Sequence, residues 1–149
     1  MIILLDTNVV LDYLLKRKGF DEASEIIDLA ISEREYECIT ASTITDIHYI
    51  STMHKNEAGD KDFDSYKVQD MLADLLNYID IISVSEKDIT AALKMRWKDF
   101  EDAVQYSVAL ANDVDCIVTN NVKDFEKAEI DIMTPADFSE QYISKSKIR

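Results

Sequence analysis

The sequence predicts an α/β fold in which a central parallel sheet of about five strands is covered by helices on both faces. Two observations carry this reading. Short continuous apolar runs, suited to strands buried on both faces, alternate with helices or helix pairs whose apolar residues fall on one stripe. Hairpin signals are few, with 2 Gly and 1 Pro in 149 residues, so successive strands are joined by crossovers and lie parallel. The length suits a single domain over residues 1–149. A chain of this size buries about 70% of its unfolded surface and needs neither disulfides nor a structural metal to fold.

Ile2 to Leu5 is the first apolar run and the first strand. Asp6, Thr7 and Asn8 are three capping residue types in a row before Val9, Val10 and Leu11, so a helix starts directly off that strand. Lys16-Arg17-Lys18-Gly19 is expected to close it, with cations at the carboxyl end and a glycine stop. From Asp21 to Arg34, the residues Ala23, Ile26, Ile27, Ala30 and Ile31 share one helical stripe. Tyr36 to Thr40 is the second strand, and a helix follows from Thr43 to about His54, with Ile44, Ile47 and Ile50 recurring along it. Lys55 to Asp64 is the most polar stretch and the best candidate for a mobile surface loop.

Tyr66 to Leu76 carries another amphipathic helix, and Ile79 to Val84 another strand. Ser85 opens a helix with Asp88 three residues on, as in a capping box. Asp102 to Asn112 continues helical with Ala103, Tyr106, Ser107 and Leu110 on one face. Cys116 to Val118 is the fourth strand, Ile130 to Met133 the fifth, and Thr134-Pro135 caps a last short helix. In such sheets the site lies beyond the carboxyl ends of the strands.

Charge narrows the function classes. With 16 Lys and Arg against 30 Asp and Glu, the net charge is −14, which excludes non-specific phosphate binding by the whole surface. Contact with nucleic acid then needs a local basic patch or a bound cation. No apolar run approaches the roughly 18–20 residues of a membrane span. Cys38 and Cys116 sit in apolar runs without CxxC spacing and read as reduced, buried thiols, which favours a cytoplasmic protein. Both secretion and membrane insertion are unexpected.

Acids gather at the predicted strand ends. Asp6 follows the first strand, Asp46 lies about one turn into the helix after the second, Asp102 opens the helix before the fourth, and Asn121 and Asp124 follow the fourth. Converging carboxylates raise one another's pKa values, and a hard divalent cation removes that conflict. Mg²⁺ or Mn²⁺ fits, whereas His48 and His54 neighbour no cysteine and do not make a zinc site. Taken singly, Asp6 also reads as an N-cap, Asp102 as a macrodipole partner, Asp124 as a cap, and Asp46 as a solvent-facing acid.

Two stretches resemble a known family. Ile3-Leu4-Leu5-Asp6-Thr7-Asn8-Val9-Val10-Leu11-Asp12 resembles the opening of PIN domains, the fold of many VapC-like toxin ribonucleases of toxin-antitoxin pairs. Asp99-Phe100-Glu101-Asp102-Ala103-Val104-Gln105-Tyr106, followed by Asp115 through Thr119-Asn120-Asn121-Val122-Lys123-Asp124-Phe125, resembles that family's later motifs. The order and spacing span nearly the whole chain.

The resemblance implies a PIN-like fold and a metal-dependent endoribonuclease. It implies Asp6, Asp46, Asp102 and Asp124 as catalytic and metal-binding acids, with Asn8, Thr119, Asn121 and Asp99 supporting them. The chemistry would be hydrolysis of an RNA phosphodiester by one or two Mg²⁺ or Mn²⁺ ions. Lys94, Arg96 and Lys98 are candidates to hold substrate phosphate, as are Lys16, Arg17 and Lys18, although that first cluster also reads as a solvated helix end. Two departures stand out: Asp46 replaces the family's usual Glu, and Thr119-Asn120-Asn121 lacks the cation of the common Thr-Arg-Asn. Trp97 reads as a packing residue or a base-stacking platform. The family also implies a homodimer and a small antitoxin partner. The helix from Asp21 to Glu37, with seven acids against Arg34 alone, suits a basic partner or is a solvated face.

Two other readings remain. A PIN scaffold without catalysis would bind a protein or RNA partner through its acidic face. A phosphoacceptor receiver domain would want paired acids after the first strand, and Asp6-Thr7 supplies one.

Overall fold

A computed structural model describes residues 1–144. Five parallel strands, β1 (Ile2–Leu5), β2 (Tyr36–Thr40), β3 (Asp80–Ile82), β4 (Cys116–Val118) and β5 (Asp131–Met133), form one sheet in the order β3-β2-β1-β4-β5. Seven helices join them: α1 (Thr7–Leu14), α2 (Phe20–Ile31), α3 (Ala41–Met53), α4 (Ser65–Leu75), α5 (Glu86–Met95), α6 (Phe100–Ala111) and α7 (Pro135–Phe138). A 3-10 turn at Val122–Phe125 follows β4, and α7 runs on into a π-helical turn at Ser139–Ser144.

Strand alternation divides the core into layers. Ile3, Leu5, Ile39 and Val118 face one way, against Val9 and Val10 of α1, Ile26 and Ile27 of α2, Ile47 of α3, Leu72 of α4 and Phe138. Leu4, Cys38 and Ile117 face the other way, against Tyr106 and Ala109 of α6 and Phe125. Helix α5 packs outside α6 through Ala92, Ala103, Val104 and Val108. Both cysteines are free and buried, as their apolar settings predict. Among the described residues no helix is long and apolar enough to cross a membrane.

Local chemistry explains most element ends. The Ser85–Asp88 capping box forms with both reciprocal bonds, and Thr134 caps α7 with Pro135 at its first position. The Lys55–Asp64 stretch is a surface loop tied by Asn56 to Asp60 and Asp62.

Three details differ from expectation. Gly19 is not the stop of α1: that helix ends at Leu15, Lys16 takes the left-handed conformation (φ 51°), and Gly19, at φ −87°, is the N-cap of α2. Gly19 is needed for closeness, because a Cβ there would stand 2.5 Å from Asp12 Oδ2. Leu110 is exposed rather than on the packed face of α6. Finally, β3 spans three residues, since it is an edge strand paired only with β2.

Candidate active site

The sheet order reverses between β1 and β4, and a parallel sheet opens a crevice at such a point beyond its carboxyl ends. Leu5 pairs with Val118, and the Asp6 N–H donates to the Val118 carbonyl at 3.0 Å, so Asp6 and Thr119 emerge side by side. Asp6 is 3% exposed. Its Oδ1 accepts the Thr7 N–H at 2.7 Å and Gln105 Nε2 at 2.9 Å, and its Oδ2 accepts the Thr119 hydroxyl at 2.7 Å. Three donors fill both lone pairs of Oδ1 and leave one on Oδ2. Asp6 is thus both the cap of α1 and a fixed carboxylate on the crevice floor. The Thr119 hydroxyl also accepts the Asn121 N–H at 3.0 Å, which shapes the turn after β4.

Helix α6 starts at the same edge. Asp99 is its N-cap and accepts the Asp102 N–H at 3.0 Å, so Asp102 sits at the third helical position rather than opening the helix. Asp124, inside the 3-10 turn, completes a cluster: one carboxylate oxygen from each of Asp99, Asp102 and Asp124 lies within 4.8 Å of the others. Asp102 is buried, and the other two are open to solvent. Burial first, then the charges of Asp6, Asp99, Asp124 and Glu101, push the Asp102 carboxyl up to about 8. The positive end of α6 offsets part of this repulsion. A cluster of carboxylate oxygens with an open side is a hard donor set fitting Mg²⁺ or Mn²⁺, and neither His nor Cys joins it among the described residues.

Asp46 stands outside that cluster. It bonds with Glu101, whose carboxyl is raised by burial and then by its hydrogen bond with, and the charge of, Asp46. Glu101 also accepts the Thr7 hydroxyl at 3.2 Å, which places the Asp46–Glu101 pair beside Asp6 through one intervening residue.

The sequence reading missed Glu101 and Gln105. A signal for Gln105 was present, since it lies three residues after Asp102 and so on the same side of α6. The partner of Glu101 depends on how α3 approaches α6, which periodicity does not encode.

Among the supporting residues, Asn8 bonds Arg17, not a carboxylate. Arg17 Nη2 lies 3.3 Å from both the Asn8 backbone oxygen and Oδ1, while Arg17 Nε pairs with Asp12 Oδ1 at 2.8 Å. Asn120 Nδ2 donates to Asp12 Oδ2 at 2.8 Å. Arg17 is therefore not a solvated helix-end cation: it and Asp12 tie together the loops after β1 and β4. Arg96 and Lys98 line a cavity beside Asp99 and Asp124, whereas Lys94 is not part of that lining. Trp97 stacks on Tyr106 with centroids 5.0 Å apart and meets Phe125 edge-on, the packing role. His48 bonds Ser65 at 2.9 Å, and His54 lies near Asp62.

The sequence profile of the PIN domain matches residues 2–123. The chain belongs to the PIN domain family. No curated protein sequence matches it. Several solved structures share the PIN fold at low identity. VapBC2 from Rickettsia felis, bound to a DNA fragment from its promoter, is 22% identical with a TM-score of 0.65, covering 89% of this chain and 97% of that one. FitAcB from Neisseria gonorrhoeae is 18% identical with a TM-score of 0.67, covering 90% and 98%. The Mycobacterium tuberculosis sarcin-ricin-loop-cleaving toxin VapC20 is 13% identical with a TM-score of 0.58, covering 77% and 86%. In this PIN domain the two motif-bearing segments, after β1 and at the start of α6, meet in one crevice with the β4 exit turn.

Proposed function

We propose that this chain is a metal-dependent endoribonuclease that hydrolyses RNA phosphodiester bonds, acting as the toxin of a toxin-antitoxin pair. The observation that carries the reading is the meeting of Asp99, Asp102 and Asp124 within 4.8 Å, beside a buried Asp6 held by three hydrogen bonds. Asp99, Asp102 and Asp124 would hold Mg²⁺ or Mn²⁺, with the remaining lone pair of Asp6 Oδ2 turned to the same task. A bound divalent ion supplies Lewis-acid charge to the phosphoryl oxygen and acidifies water.

The chain's own residues do the rest. Thr7, Gln105 and Thr119 fix the Asp6 carboxylate, so the acidic floor needs no reorganisation when substrate arrives. Asn121, on the turn held by Thr119, borders the crevice as a further polar group. Arg96 and Lys98 provide positive charge where a phosphodiester would approach Asp99 and Asp124. Asp46 serves through Glu101, whose carboxyl it helps to raise and which accepts the Thr7 hydroxyl beside Asp6.

A solved structure from Klebsiella pneumoniae that shares the fold is a toxin-antitoxin complex, which supports a small antitoxin as partner. Tyr49, Met53 and Tyr66 leave apolar surface exposed on α3 and α4, and a homodimer or an antitoxin would cover such surface. The place of Asp46 outside the cluster of Asp99, Asp102 and Asp124 favours one alternative, a PIN scaffold without catalysis, because the acid expected to join the metal ligands does not meet them.

Cleavage of a labelled single-stranded RNA pool separates the two. The ribonuclease reading expects cutting with Mn²⁺ or Mg²⁺, none with EDTA, and a fall of at least about a hundredfold for Asp102→Asn, on the scale of losing a charged group that acts only in the transition state. Folded wild-type protein that cuts with neither metal would leave the scaffold.

A further inference from the structure

The cavity beside the acidic cluster holds two cations that the sequence reading did not assign to substrate. Its volume is about 350 Å³, and four cations line it: Arg96 and Lys98 from the α5–α6 loop, and Lys123 and Lys127 from the turn after β4. Asp99 and Asp124 form part of the same wall, with Glu126. A chain of net charge −14 has thus brought four of its 16 Lys and Arg to the edge of the crevice that holds Asp99, Asp102 and Asp124.

Two further features show that the cavity is built. Trp97, between Arg96 and Lys98, stacks on Tyr106 of α6 and packs edge-on to Phe125, which lies between Lys123 and Lys127. One aromatic contact therefore locks the two cation-bearing segments together. Arg96, the C-cap of α5 at φ 57°, turns the chain from α5 toward Trp97 and Lys98. Arg17 spends its charge on Asp12, but none of these four makes an ion pair among the described residues, even with acids in the same wall.

The geometry points to a phosphate-binding subsite in which Lys123 and Lys127, with Arg96 and Lys98, hold the RNA backbone next to the phosphodiester over Asp99, Asp102 and Asp124. The inference rests on the ribonuclease reading of that crevice. The volume is at the small end of the roughly 300–1,000 Å³ of ligand pockets, which suits one backbone unit of a single strand rather than a duplex. Trp97 also lines the cavity, packed on Tyr106 and Phe125, while the four cations read phosphate, which carries no sequence information. The subsite also answers the net-charge objection: substrate meets a local basic wall on one side of the crevice and the metal on the other.

The test uses labelled single-stranded RNA and the full chain, with folding checked by circular dichroism. Binding is read by anisotropy in Mg²⁺ in an Asp102→Asn background, and cleavage is read in parallel in the wild-type background. Lys123→Ala/Lys127→Ala is expected to weaken binding about tenfold at low salt and to reduce the slope of log affinity against log salt by about 1.4, or 0.7 per lost phosphate contact. In cleavage the effect should fall mainly on KM. Lys123→Arg/Lys127→Arg should bind within about twofold of the parent, as should Lys61→Ala/Lys87→Ala, which removes the same charge elsewhere.

Equal weakening by the Lys61/Lys87 pair, no effect of the Lys123/Lys127 pair, or no RNA binding by the parent would each overturn the subsite. Binding that depends on Lys123 and Lys127 without cleavage upholds the subsite and removes the nuclease. Cleavage indifferent to them does the reverse.

Discussion

At the scale of single residues, the most exceptional group is Glu37 on β2. It is 1% exposed, and neither carboxylate oxygen has a hydrogen-bond partner. Burial, and then the charge of Glu35, push it from 4.5 up to about 8. The folded state therefore keeps a proton that the unfolded state releases between those two values. Stability falls as pH rises through this window: the neutral form is tolerated below about 4.5, and the loss is complete above about 8. Glu37→Gln removes the titration. Urea unfolding should find the variant and the wild type within about 1 kcal/mol of each other near pH 5, and the variant more stable by about 4–5 kcal/mol at pH 8.5. An unchanged difference across that range would mean that Glu37 is not buried as described. Nothing in the sequence marks this residue, because Glu37 occupies a position in a strand whose alternation points it inward with Ile39, and one charged residue in a five-residue strand reads as an edge.

At the scale of elements, the loop between α1 and α2 couples backbone geometry to the site. Gly19 approaches Asp12 so closely that a Cβ would meet Oδ2 at 2.5 Å, and Asp12 is the acceptor that joins Arg17 to Asn120. An ordinary glycine at negative φ gains stability on replacement by alanine. Here Gly19→Ala should instead cost about 1–3 kcal/mol by overpacking, and lower RNA cleavage as the turns after β1 and β4 lose their tie. Unfolding and cleavage assays on the one variant check both parts; a neutral or stabilising effect would show that Asp12 moves aside freely.

Elements of this kind were legible where their cause is local. The caps at Asp6, Ser85 and Thr134 and the buried runs at Ile2–Leu5 and Cys116–Val118 follow from neighbouring residues alone. The reading of Gly19 as a stop failed because its reason is a through-space contact with Asp12. Asp99 was ranked as a support for the same reason: its cap role is visible in sequence, but its place beside Asp124 depends on how α6 meets the turn after β4.

At the scale of the whole molecule, charge and topology work together. A parallel sheet with β1 and β4 at its centre brings Asp102 and Asp124 into one cluster, with Asp6 near enough for its charge to act on Asp102, from segments far apart in sequence. The order of the acids was legible; the division of labour was not. Asp46 lies beside Glu101 instead of in the cluster, and Lys123 and Lys127 flank Phe125, which packs against Trp97 across the cavity wall.

The central claim is that Asp99, Asp102 and Asp124 hold a divalent cation, and direct titration with Mn²⁺ tests it without reference to activity. Calorimetry on the wild type should show specific binding, with a thermal shift corresponding to about 2.7 kcal/mol of added stability at a hundredfold excess over Kd. Binding should be lost in Asp102→Asn and Asp124→Asn and retained in Asp46→Asn. Saturable Mn²⁺ binding that survives both Asp102→Asn and Asp124→Asn, or no binding by the folded wild type, would contradict the account.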